Sequence, residues 1–95
     1  MKILLNIDVD DLAAAETFYT TAFGLAIGRR LGGDAVELLG ADAPIYLLQK
    51  NADTIGAAQS KRDYGRHWSP LHCDIVVDAL DTAVARAVAA GAVQE

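Results

Sequence analysis

An α+β fold, a βαβββ module followed by a partial second βα unit, is predicted by three features of this 95-residue chain. Two stretches alternate apolar and polar residues with the period of a strand, and each leads directly into an apolar stripe with the period of a helix. Three short β-prone runs follow the first of these units, and none follows the second. Sliding the chain along itself superposes the units, Ile7 on Ile75, Val9 on Val77 and Leu12 on Leu80, the mark of an internal repeat.

The elements follow in order. Ile3, Leu5, Ile7 and Val9 alternate with Leu4, Asn6 and Asp8, which gives a half-buried strand over Lys2–Val9. Asp10 or Asp11 then supplies a side-chain acceptor for the free amides of a helix start. Leu12, Ala15, Tyr19, Ala22 and Phe23 form one helical face, and Gly24 provides the left-handed residue that ends it. Ala26–Leu31, Ala35–Leu39 and Ile45–Gln49 read as strands joined by connections short enough for antiparallel neighbours. Residues 1–50 thus make the first module. Residues 51–70 read as a long connecting loop without sustained periodicity, either functional or a mobile linker. Residues 71–95 start a second module. Leu71, Cys73, Ile75 and Val77 alternate with His72, Asp74 and Val76, Asp78 caps a helix with the stripe Leu80, Val84, Ala87 and Val88, and Gly91 closes it. Three strands that would complete this copy are missing, so either the chain is a fragment or a second chain covers the half-built unit. Both predict association, since an open apolar strand edge invites pairing.

Composition narrows the function. A hydrophobic content of 53% supports a folded core, although a chain this short buries only about two thirds of its unfolded surface. A net charge of −5 offers no footprint for a nucleic-acid backbone, and no apolar run is long enough to span a bilayer, so neither nucleic acid nor membrane is an expected partner and a cytoplasmic location is expected. The lone Cys73 reads as a small buried hydrophobe. Phosphate-loop, dinucleotide, Cys-x-x-Cys and Gly-x-Ser-x-Gly motifs are all absent.

Alternation also assigns faces. With Ile3, Leu5, Ile7 and Val9 against the helix, Asn6 and Asp8 face the opposite side, and the same logic sends His72 and Asp74 there. Asn6, Asp8, His72 and Asp74 among apolar neighbours have the composition of a small-molecule site. The alternative is a set of solvated residues on the exposed face of an antiparallel sheet. As a histidine, His72 is a candidate acid or base for chemistry near neutral pH, with Asp74 two residues on, on the same face, to tune it. Trp68, with Tyr64 and His67, stands close to the second unit, where it can stack on a planar ligand or pin a loop. Lys50, Lys61, Arg62 and Arg66 gather half of the eight basic residues in the same region, as a solvated loop or an attraction for an anionic ligand.

The order Val9-Asp10-Asp11-Leu12, Phe18-Tyr19, Phe23-Gly24-Leu25, then His72-Cys73-Asp74-Ile75-Val76-Val77-Asp78 with Leu80 and Ala90-Gly91-Ala92, resembles the vicinal oxygen chelate superfamily of glyoxalases, bleomycin-resistance proteins and extradiol dioxygenases. The resemblance implies paired modules around a cleft and, in the metalloenzymes, ligands from the first and last strand of each module. His72 matches the second-module histidine ligand, Leu4 stands at the first-module position, and Tyr46 or Gln49 stands where a glutamate is expected. The expectation is therefore a metal-independent small-molecule-binding protein without a cofactor, a homodimer that can exchange strands between chains, as in the bleomycin-resistance branch. The alternative is a metal-dependent lyase, isomerase or dioxygenase in which His72 is one ligand to a divalent metal.

Overall fold

The computed structural model describes residues 1–95. Its first half follows the sequence pattern closely: β1 (Leu5–Val9), α1 (Leu12–Phe23), β2 (Ala26–Leu31), β3 (Ala35–Leu39) and β4 (Ile45–Gln49). The four strands form one sheet in the order β1-β4-β3-β2. β2, β3 and β4 pair antiparallel, and β1 returns parallel to β4, with Asn6 opposite Tyr46 and Asp8 opposite Leu48.

Local chemistry explains these boundaries. Asp11 is the N-cap of α1 and accepts from the Ala14 amide at 3.0 Å. Gly24, at φ 66°, closes the helix, its amide donating to the Thr20 carbonyl. Glutamine 49 fastens the two ends of the module: Gln49 Oε1 accepts from the Leu12 amide at 2.8 Å and Gln49 Nε2 donates to the Asp10 carbonyl. On the α1 side, Arg30 of β2 pairs with Glu16 of the helix at 2.7 Å.

The core lies between α1 and the sheet and is small. Val36, Leu38 and Leu47 are its fully buried side chains, with Ile7, Val9, Leu12, Ala15, Tyr19, Leu25 and Ile45 packed around them. Since Val36 and Leu38 point at the helix, Glu37 between them points to the open face of the sheet, and the pairing aligns Tyr46 and Asn6 with it. No helix is long and apolar enough to cross a membrane.

The second half departs from the sequence reading. Residues 51–70 are not without secondary structure: Ile55–Ala57 (β5) and Ser60–Lys61 (β6) form a small antiparallel hairpin. Arg62 ties it to β1, donating from Nε to Asp8 at 2.8 Å and from Nη1 to the Ile55 carbonyl at 2.6 Å. The expected strand at Leu71–Val77 does not form. In the first module β1 is held by β4, the last strand to be made, and the second unit has no equivalent of β4 within this chain. Its alternating residues therefore lack a ladder partner and stay exposed, Val76 at 96%. Cys73 is correspondingly exposed rather than buried.

The second helix forms as α2 (Leu80–Ala89). Its N-cap is Ala79, not Asp78, and no side chain caps it. Starting one residue later leaves Asp78 outside capping reach, and Asp81 in the first turn complements the helix dipole instead. Gly91 (φ 112°) follows the helix, and the Ala92 amide closes the turn on the Ala87 carbonyl, so the expected glycine stop is present. α2 packs on α1, away from the open face, with Arg86 Nε donating to the Thr21 carbonyl at 2.7 Å.

Candidate ligand-binding face

On the side of the sheet opposite α1, strand alternation lines up a polar row: Asn6 on β1, Tyr46 on β4, Glu37 on β3 and Arg29 on β2. A register irregularity between Ile27 and Arg30 lets Gly28 and Arg29 lie together against Glu37. Gly28 leaves room for this contact: a Cβ there would stand 2.7 Å from Glu37 Oε1 and 3.0 Å from Leu39 Cδ1, so any larger residue must displace the Glu37 carboxylate.

Glu37 is buried, at 7% exposure, and both of its oxygens are occupied. Oε1 accepts from the Arg29 amide at 3.2 Å and from Arg29 Nε at 3.3 Å. Oε2 accepts from Arg29 Nη2 at 3.1 Å and from the Tyr46 hydroxyl at 2.5 Å. Arg29 Nη2 also donates to the Tyr46 hydroxyl at 2.7 Å. A carboxylate offers about four acceptor sites, so Glu37 is saturated. The Arg29 guanidinium, then the Tyr46 hydroxyl, then the Arg29 amide hold its pKa down at about 2, against an ordinary 4.5. Glu37 is accordingly an ionised, fully engaged group, unsuited to act as a general base near neutral pH.

The linkage has a definite sign. A depressed folded pKa contributes stability that is fully present above the unfolded value of 4.5 and is lost as pH falls through about 2. Urea midpoints measured at pH 6, 4 and 3 are expected to fall on acidification, and Glu37→Gln to flatten that fall below pH 4.5. An unchanged acid limb in the variant would mean that other carboxylates carry it.

The residues singled out from sequence divide into two places. Asn6 and Asp8 lie on the open face, and Asp8 is paired with Arg62. His72 and Asp74 do not join them. Asp74 lines a groove with Tyr19, Phe23, Leu25 and Asp42 on the α1 side, and His72 Nδ1 stands 3.7 Å from Asp74 Oδ1, both side chains almost fully exposed. Burial, and secondarily the nearby Cys73, raises the Tyr19 pKa in that groove. Trp68 is 83% exposed, and Tyr64 is fastened by its hydroxyl to the Lys50 carbonyl at 2.7 Å. Of the two positions weighed for a glutamate equivalent, Tyr46 faces the open side, and Gln49 is spent on the helix start.

These donors do not suit a divalent metal. No group of three or more His, Cys, Asp or Glu side chains converges anywhere in the chain. On the open face Glu37 has no free lone pair, Asp8 is shared with an arginine, and the remaining oxygens belong to a neutral amide and a phenol. His72, the one sequence candidate for a metal ligand, joins no such group; the carboxylate beside it is that of Asp74, at 3.7 Å, which lines the groove next to α1.

The comparisons with known proteins agree with this fold. No curated protein matches the chain. Among solved structures, a lactoylglutathione lyase from Agrobacterium tumefaciens superposes with a TM-score of 0.55 at 23% identity, over 94% of this chain and 70% of that one. That similarity concerns the fold, the one shared by the vicinal oxygen chelate superfamily. The glyoxalase-like domain family matches residues 4–95, nearly the whole sequence, and on that match the chain belongs to the glyoxalase-like domain family.

Proposed function

We propose that this chain is a metal-independent small-molecule-binding protein that takes an aromatic or carbonyl-bearing ligand on the open face of its sheet. The observation that carries the reading is the saturation of Glu37. An ionised carboxylate held by four hydrogen bonds serves neither as a metal ligand nor as a base, and it leaves Arg29 and Tyr46 as fixed polar groups beside the apolar Leu39 and Leu48. The protein works as a homodimer in the cytoplasm, with the unpaired Leu71–Val77 segment exchanged onto the sheet of a second copy.

A metal-dependent lyase, isomerase or dioxygenase is the second reading, favoured by the fold shared with the lactoylglutathione lyase. It requires His72 to meet further ligands that the open face of this chain does not offer.

Amide chemical shifts recorded while titrating a panel of aromatic and carbonyl compounds test the first reading. Saturable shifts at Asn6, Glu37, Tyr46 and Leu48 are expected. Shifts confined to His72, Asp74 and the groove beside α1 would sink it.

A further inference from the structure

The open face presents one hydrogen-bonding edge with a defined direction. Arg29 spends Nε on Glu37 and Nη2 on both Glu37 and the Tyr46 hydroxyl, while Nη1 has no partner in the chain and the side chain is 67% exposed. A free arginine side chain gives up considerable rotamer entropy when it binds. Here the guanidinium plane is already fixed by its bonds to Glu37 and Tyr46, so that cost is met before any ligand arrives. Glu37 offsets the long-range field while the guanidinium keeps its own charge, so what remains is a directed, charged donor at short range rather than a diffuse positive field. Beside it, the ring of Tyr46 and the side chain of Leu48 furnish an apolar floor.

We propose that Arg29 determines ligand specificity on this face, receiving a carboxylate of a small aromatic acid on its free Nη1 edge, and that Glu37 is the positioning residue that aims it. The proposal rests on the open-face reading above and names the ligand class for it. Donation from a guanidinium to a carboxylate is charge-assisted and stronger than donation to a neutral amide oxygen, which sets the preference.

The test uses benzoate and its neutral isostere benzamide, titrated at millimolar concentration into the full chain while the Arg29 Nε–H resonance and the backbone amides are followed. Benzoate is expected to move Arg29, Glu37 and Tyr46 and to bind about tenfold more tightly than benzamide, the scale of one charge-assisted hydrogen bond. Arg29→Lys, which keeps the charge and loses the planar fork, is expected to erase most of that preference. Glu37→Gln separates positioning from simple charge: added positive charge alone would tighten benzoate binding, whereas loss of aim weakens it. Tyr46→Phe keeps every charge and covers the event that Glu37→Gln fails to fold; weaker benzoate binding is expected there too. Equal binding of the two probes on the open face would overturn the specificity role and leave the open-face reading standing. Tighter benzoate binding by Glu37→Gln would overturn the positioning role. Absence of shifts from both probes on that face would overturn the proposal, and the broader ligand panel then decides the open-face reading separately.

Discussion

Leu47→Ala is expected to destabilise the fold by about 2–5 kcal/mol, the cost of a large buried side chain replaced by a methyl group over a cavity. Leu47 sits on β4 between Ile7 of β1 and Val36 of β3, directly under α1, and is one of only three fully buried side chains. With so thin a core, no second layer is available to repack. Domains of this kind have about 5–15 kcal/mol in total, and small ones stand at the lower end, so the variant approaches the unfolding threshold at room temperature. In a thermal melt a loss of this size lowers Tm by about 10–20 °C or more. Leu39→Ala is the control: Leu39 lies on the open face of β3 at 44% exposure and has much less to lose. Equal losses at Leu47 and Leu39 would contradict the assignment of faces on which the candidate site depends.

Val76→Pro is expected to reduce the particle from two chains to one. Leu71–Val77 belongs to no sheet, its backbone enters no ladder, and Val76 projects into solvent at 96% exposure. Within one chain a proline there removes no ladder hydrogen bond. If the segment adds to the sheet edge of a second copy, the same proline deletes a donor and blocks the pairing. Mass measured by light scattering over a range of concentrations is the readout. A wild-type chain that stays monomeric, or a variant that still dimerises, would rule out exchange of this segment as the basis of association.

The first module was legible because each of its decisions is local. Asp11 and Gly24 bracket α1, the alternation from Leu5 to Val9 fixes which residues meet the helix, and Gly32 at φ 65° turns β2 into β3. The strand expected at Leu71–Val77 failed for a reason that alternation cannot express: a strand needs a neighbour, and the one that β1 uses comes last in its module. With the strand went the placement of His72 and Asp74 beside Asn6 and Asp8. The Arg29–Glu37–Tyr46 network was not read from sequence, because it depends on a register shift in β2 and on pairing between residues far apart in the chain. One signal for it was present. Glu37 is the single charge in the run Ala35-Val36-Glu37-Leu38-Leu39, on the face away from the helix and beside the edge strand β2, which carries two arginines.

Elemental analysis of the purified, never-chelated protein for Zn, Ni, Mn and Fe, with His72→Ala alongside, tests metal-independent binding on the open face most directly. Metal far below one equivalent in both proteins is the predicted result, because the oxygens of Glu37 are already taken and His72 stands apart from them. Near-stoichiometric metal in the wild type that is lost in His72→Ala would contradict it and move the chain to the metal-dependent reading.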